Sequence, residues 1–354
     1  MFVGTYTAKE RKGIYAYRFT PASSKLRSLG LVAETPNPSF LAIDPKERFL
    51  YAVNELEKYK GEPSGSVSAF AIDQKSGKLS LLNQVSSRGT DPCYISLDRS
   101  GKYVLVANYS SGSVAVFPVR KDGGLGEATS FVQHAGSGPN RERQEGPHAH
   151  WIGVTPDNRF AMSADLGIDK VLVYRFNEKT GELSANDPAF AQLEPGSGPR
   201  HIDFHPNGKF AYVLSELQST VRSFAYDAEH GALTELQSIA TIPKEFSGTN
   251  YPAELRVHPN GRFLFVSNRG HDSIAVFSID QRKGTLTLVG DFSTQGKKPR
   301  NFQIDPSGSH LFVANQESGN IVVFNIDQET GKLTSTGQVL QVDSPVCLRF
   351  IALR

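Results

Sequence analysis

Cysteine is nearly absent from this chain, at two in 354 residues. Two thiols cannot make a disulfide scaffold or a Cys-rich zinc site. No apolar run approaches the roughly 18 residues that cross a bilayer, so no membrane-spanning helix is expected. The N-terminus lacks the basic stretch and apolar core of a signal peptide. It opens on Met1-Phe2-Val3-Gly4, and the cytoplasm is the default compartment. Neither sign of charge prevails: 38 Lys+Arg against 36 Asp+Glu leave +2. Nucleic acid or a membrane surface would require a concentrated positive field. Helical periodicity beyond about a dozen residues is missing as well.

Turn-formers and aromatics are abundant: Gly 32, Pro 20, Phe 22 and Tyr 12. Apolar residues alternate over short runs bounded by Gly, Pro, Asn and Asp, the pattern of half-buried strands. At about 150 residues per domain the length suggests two or three domains, but the pattern repeats on a shorter scale. A leading proline, an alternating run, a turn and an aromatic-aliphatic strand recur. Examples are Pro38-Ser-Phe-Leu-Ala-Ile-Asp-Pro45 before Arg48-Phe-Leu-Tyr-Ala-Val-Asn54, and Pro299-Arg-Asn-Phe-Gln-Ile-Asp-Pro306 before His310-Leu-Phe-Val-Ala-Asn315. The leading prolines are Pro38, Pro92, Pro147, Pro199, Pro252, Pro299 and Pro345, spaced by 46 to 55 residues. A second phrase follows each, a β-branched strand ending in an aromatic and then Gly-x-Leu, as in Gly319-Asn-Ile-Val-Val-Phe324 with Gly331-Lys-Leu333.

Four strands in about 50 residues make one propeller blade. After Pro345 only one strand remains, and residues 1–37 supply three more at 1–5, 13–19 and 25–34. The two ends together make one unit. The expected fold is therefore all-β: a single seven-bladed propeller over residues 1–354, with one blade shared between the termini.

A hairpin starts and ends on the same side, opposite its turn, so seven strand starts and seven strand ends ring one mouth of the central channel. The starts are Ser39, Cys93, His148, Arg200, Ala253, Arg300 and Val346. The ends are Gly4-Thr5, Asn54-Glu55, Asn108-Tyr109, Ala164-Asp165, Ser215-Glu216, Asn268-Arg269 and Asn315-Gln316. The third unit is two residues longer between its proline and its turn. Counted back from the turn, His150 replaces His148, and both are carried forward. Blades three to six thus aim His, Asp, Arg and Glu at one funnel. Glu254 lies one residue past Ala253 and is a further candidate for the mouth. His205 and His258 precede Pro-Asn-Gly and read as turn residues. Cys93 and Cys347 read as small buried residues. The Gly-rich stretches at 136–140 and 196–199 precede no helix, which argues against a P-loop. His148 and His150 have no marked third ligand, which argues against zinc.

Three stretches resemble one family: Pro199-Arg-His-Ile-Asp-Phe-His-Pro-Asn-Gly-Lys209 with Tyr212-Val-Leu-Ser-Glu216, Asp165-Leu-Gly-Ile-Asp-Lys-Val171, and Val266-Ser-Asn-Arg269-Gly-His-Asp-Ser-Ile-Ala-Val-Phe277. They are similar to the lactonase-type seven-bladed β-propellers, which include bacterial 6-phosphogluconolactonases and fungal enzymes that cyclise carboxy-muconate. The resemblance runs over essentially the whole chain. It implies a site of one His (His150 or His148), Arg200, Glu216 and Arg269.

The implied chemistry is hydrolysis of a small anionic sugar lactone, 6-phosphogluconolactone in the pentose phosphate pathway, without metal or cofactor. Glu216 or the His would activate water, and Arg200 or Arg269 would stabilise the oxyanion. Arg300 would hold a phosphate through its planar fork. Asp165, Asn268, Gln316 and Glu254 complete the expected substrate contacts. Two alternatives stay open: a lactonising isomerase or non-phosphorylated sugar lactonase on the same site, and a non-catalytic binding or scaffold propeller. A closed ring predicts a monomer that binds neither nucleic acid nor membrane.

Overall fold

The computed structural model describes residues 1–7, 12–21 and 25–352. Among them, strands form seven four-stranded antiparallel sheets and one small two-stranded hairpin, Lys58–Tyr59 with Glu62–Pro63. Blades are numbered here by their leading prolines. In blades one to six the four strands follow one another in chain order from the channel outwards. Blade seven is the shared one. Its inner strand is Pro345–Arg349, and Phe2–Thr5, Gly13–Thr20 and Lys25–Glu34 follow outwards. Phe2 pairs with Arg349 and Gly4 with Cys347, so the ring is closed by backbone hydrogen bonds between the two ends of the chain. No helix among the described residues is long and apolar enough to cross a membrane.

The repeated phrases have direct packing causes. In Asp-Pro turns the carboxylate ties down the loop: Asp305 accepts from the amides of Ser309 (2.9 Å) and His310 (2.8 Å). His205 and His258 occupy the same place in their turns. Each donates from Nε2 to the turn of the next blade, at Gly261 O and Gly308 O, both at 2.8 Å. The Gly of Gly-x-Leu is required by close approach. At Gly181, Gly231, Gly284 and Gly331 a Cβ would sit 2.3–2.8 Å from Tyr103, Phe160, Phe210 and Phe263 of the preceding blade. All four also have φ between 70° and 76°, where a side chain is strained. Aromatics of one blade thus pack on bare backbone of the next. Truncating a buried one such as Phe160 should cost about 3–5 kcal/mol.

One irregularity recurs at the inner strand. Pro92 pairs with Asn108 but Tyr94 with Ala107, leaving Cys93 as an extra residue. The same bulge leaves out His150 between Ala149 and Trp151, Arg200 between Pro199 and His201, and Arg300 between Pro299 and Asn301. In blade seven it leaves out Val346, and in blade five Ala253 and Glu254 face Ser267 together. A bulge re-aims the side chain it carries, and here it is repeated around the channel.

Candidate active site

The bulges build an inner ring at one end of the channel, with Ser39, Cys93, His150, Arg200, Arg300 and Val346 lining a small cavity. In blade three Ala149, not Pro147, holds the paired position before the bulge. This is where the two additional residues go, and it gives the ring position to His150. The His148 ring instead stacks on Tyr109 at 4.5 Å, with Nε2 3.2 Å from Glu145.

Beneath the inner ring, the next residue of each strand forms a floor. Phe40 and Tyr94 lie 4.2 Å apart, and His201 meets Tyr94 edge-on at 5.0 Å. Glu254 belongs to this floor, not to the mouth. Its oxygens accept from His201 Nδ1 (2.9 Å) and from Asn301, and Arg256 lies 3.4 Å away. The Leu255 amide donates to it as well at 3.1 Å, so four groups occupy Glu254 and it holds His201 in place.

The rim comes from the residue just after each second strand. Its amide bonds back across the hairpin in the same way in most blades: Tyr6 to Ser344 O, Glu55 to Asn37 O, Tyr109 to Asp91 O, Leu166 to His148 O, Glu216 to Gly198 O and Gln316 to Lys298 O. Arg269 completes the ring. The residue before each of these points between blades and is fully buried: Thr5, Asn54, Asn108, Asp165, Ser215, Asn268 and Asn315.

This alternation places two of the expected contact residues between blades, away from the mouth. Asp165 accepts from the amides of His148 (2.7 Å) and Gly167 (3.0 Å), and His134 Nδ1 lies 2.6 Å away with Tyr174 behind it. Asn268 is spent on Thr241, Asn250 and Ser273. Both are struts under the loops. Gln316 stands at the rim as expected, half-buried.

Glu216 is the hub. It takes Arg200 Nε at 2.7 Å and Arg269 at 3.0 Å on Oε2, and Arg143 at 2.7 Å on Oε1. Burial pushes its pKa up, but Arg269, Arg200, His150 and Arg143 outweigh that and hold it well below the ordinary glutamate range. Arg143 had no signal in the repeat. It comes from the connection between blades two and three, 73 residues from Glu216. It lies over Tyr251 at 5.3 Å. Gln144, fully buried, pins that connection to Leu166 O at 2.8 Å and Asp169 at 2.7 Å.

Burial lowers Arg269 to about 9, against the pull of Glu216. Burial also lowers His150 well below 6.5, and Arg200 beside it adds to the effect, so the imidazole is neutral at pH 7. On the other side of the funnel, Tyr6 donates to both oxygens of Glu55 at 2.9 Å and receives Arg300 at 2.8 Å. Burial raises Glu55, and Arg300 partly offsets it. Four guanidinium groups therefore face two carboxylates around a neutral His150, a local excess of two positive charges. Such a mouth attracts a small anion and suits charge that develops on an oxygen. The expected Arg200, Glu216, Arg269, Arg300 and His150 are brought together, while Tyr6, Glu55, Tyr109 and Arg143 join them.

Residues 1–350 match the family model described as lactonase, 7-bladed beta-propeller. A 6-phosphogluconolactonase of Bacillus subtilis is 41% identical over 302 residues, which cover 85% of this chain and 83% of that protein. A 6-phosphogluconolactonase of Formosa agariphila is 37% identical over 306 residues, with 85% of each chain covered. Among solved structures, a periplasmic gluconolactonase of Pseudomonas aeruginosa superposes with a TM-score of 0.94 at 40% identity, covering 100% of this chain and 99% of that one.

Proposed function

The chain belongs to the seven-bladed β-propeller lactonase family, and on that footing we propose that it hydrolyses a sugar lactone, 6-phosphogluconolactone to 6-phosphogluconate. The observation that carries this reading is the excess of guanidinium around a buried funnel. Arg200 and Arg269 are set by Glu216 in one orientation, so donors for the oxyanion need no reorganisation when water attacks the carbonyl. Arg200 keeps its guanidinium charged in a site sheltered from water, where such a donor acts more strongly than in solution. Arg300 faces the funnel from the opposite side and is the group suited to the phosphate. His150, neutral and in the inner ring, is placed to bond a sugar hydroxyl or the incoming water. Glu216 is ill-suited to the role of base, because an effective one titrates near the working pH. Two buried free thiols accord with the cytoplasm, and a monomer is part of the same proposal.

A second reading, hydrolysis of a non-phosphorylated lactone, is favoured by the engagement of Arg300 with Tyr6 and by the gluconolactonase resemblance. One panel separates the two: 6-phosphogluconolactone, gluconolactone and a carboxy-muconolactone, each corrected for spontaneous opening. The first reading expects the largest kcat/KM with the phosphorylated lactone and a rise in its KM for Arg300→Met. Equal kcat/KM for both sugars would favour the second. No acceleration of any lactone would remove both and favour a binding propeller, and Arg200→Glu would then be compared with wild type for ligand binding.

A further inference from the structure

Two carboxylates reach this funnel, and the structure treats them oppositely. Glu216 is enclosed by three guanidinium groups within 3.0 Å. Glu55 lines the cavity itself, and its hydrogen-bond donors are neutral: Tyr6, shared between its two oxygens, and Ser39. A carboxylate has about four acceptor positions, so Glu55 keeps room for a water molecule on the cavity side. Blade one also stands three blades from blade four around a ring of seven, which puts Glu55 across the funnel from Arg200 and Glu216. We propose that Glu55 is the catalytic base of this site, with Tyr6 and Arg300 as its positioning residues. The assignment rests on the sugar-lactonase reading above.

The step balances as follows. Water between Glu55 and the lactone gives a proton to the Glu55 carboxylate as its oxygen bonds to the carbonyl carbon. The carbonyl oxygen takes up the negative charge in front of Arg200 and Arg269. When the tetrahedral carbon collapses, the bond to the ring oxygen breaks. That oxygen takes the proton back from Glu55, leaving a hydroxy acid and the starting carboxylate. Burial favours neutral forms. It therefore strengthens Glu55 as a base and weakens His150, whose protonated form would add a cation beside Arg200. The charged and titratable groups around Glu55 are Tyr6, Arg300, Asp91 and Cys93, with His150, Arg200 and His201 lining the same cavity, and Arg300 is the cation that holds it ionised.

The test is the pH profile of kcat/KM for wild type, Glu55→Gln and Tyr6→Phe, with binding of 6-phosphogluconate measured by calorimetry. Wild type should lose activity as pH falls through the raised pKa of Glu55. Glu55→Gln is isosteric and should lower kcat by about 100-fold or more, abolish that acid limb and leave product affinity within about threefold. Tyr6→Phe removes a hydrogen bond that favours the ionised carboxylate, so the acid limb should move to higher pH while kcat on the plateau falls less than in Glu55→Gln. It tests the same residue without touching the carboxylate, even if Glu55→Gln folds poorly. A Glu55→Gln enzyme with wild-type kcat and an intact acid limb overturns the assignment and returns the role to His150. An unmoved limb in Tyr6→Phe also counts against it. A wild-type protein that accelerates no lactone removes the function itself and this assignment with it.

Discussion

Replacing Glu216 with glutamine separates a structural hub from a base, because the two roles predict different losses. The carboxylate is 5% exposed and pairs with Arg200 at 3%, Arg269 at 14% and Arg143 at 30%. The amide keeps one acceptor oxygen but none of the negative charge. Three guanidinium groups would then share a buried site with nothing to neutralise them. Removing one partner of a buried pair costs about 3–5 kcal/mol. Arg143 adds little to this, since its partial exposure lets water and salt screen it.

For 354 residues, an unfolding entropy near 2.1 cal/mol/K per residue gives about 0.74 kcal/mol per kelvin. The expected fall in Tm at pH 7 is therefore about 4–7 °C. The pH dependence has a definite sign. A carboxyl held low in the folded state contributes stability that is fully present above its unfolded pKa and is lost as pH falls towards the folded value. The gap in Tm between wild type and Glu216→Gln should be constant from pH 6 to 8 and narrow below about pH 4.5. Differential scanning calorimetry across that range reads both. kcat should fall as Arg200 and Arg269 lose their orientation towards the oxyanion, while the acid limb of kcat/KM survives. A Glu216→Gln protein that melts with wild type at pH 7, or that loses the acid limb, would refute the hub.

Two further outcomes test the corrected positions. Asp165→Ala strips acceptors from the amides of His148 and Gly167 and from His134, so urea unfolding should show a loss of roughly 3 kcal/mol; a raised KM with unchanged stability would restore Asp165 to the substrate. Cys93 and Cys347 are buried, with thiols pushed up by that burial, so a disulfide reagent at pH 8 should leave the native protein untouched and titrate two thiols after unfolding.

The blade count and the closure were legible because both rest on local chemistry that repeats. Proline opens the inner strand, Asp or His closes its turn, and Gly admits the aromatic of the preceding blade. The inner ring was legible for the same reason, since the residue after the leading proline is the bulged one, and counting from the turn recovered His150 despite the longer third unit.

The rim was harder, because strand alternation changes the role of a residue in a single step. Asp165 and Asn268 look like mouth residues by type, yet they occupy the position that points between blades. Glu55 and Tyr6 lie one step further on, at the place of Glu216, and belong to blades one and seven, outside the cluster of charged types in blades three to six. In blade three the rim position holds Leu166, an apolar residue, and the charged type falls one step early at Asp165.

Arg143 was not legible at all, since its connection has no counterpart in the other units and reaches Glu216 only through the folded ring. That contact also inverts the expected role of Glu216. Two arginines from the repeat leave a carboxylate with room for water, whereas a third from a loop closes it, and the free acceptor positions pass to Glu55 across the funnel.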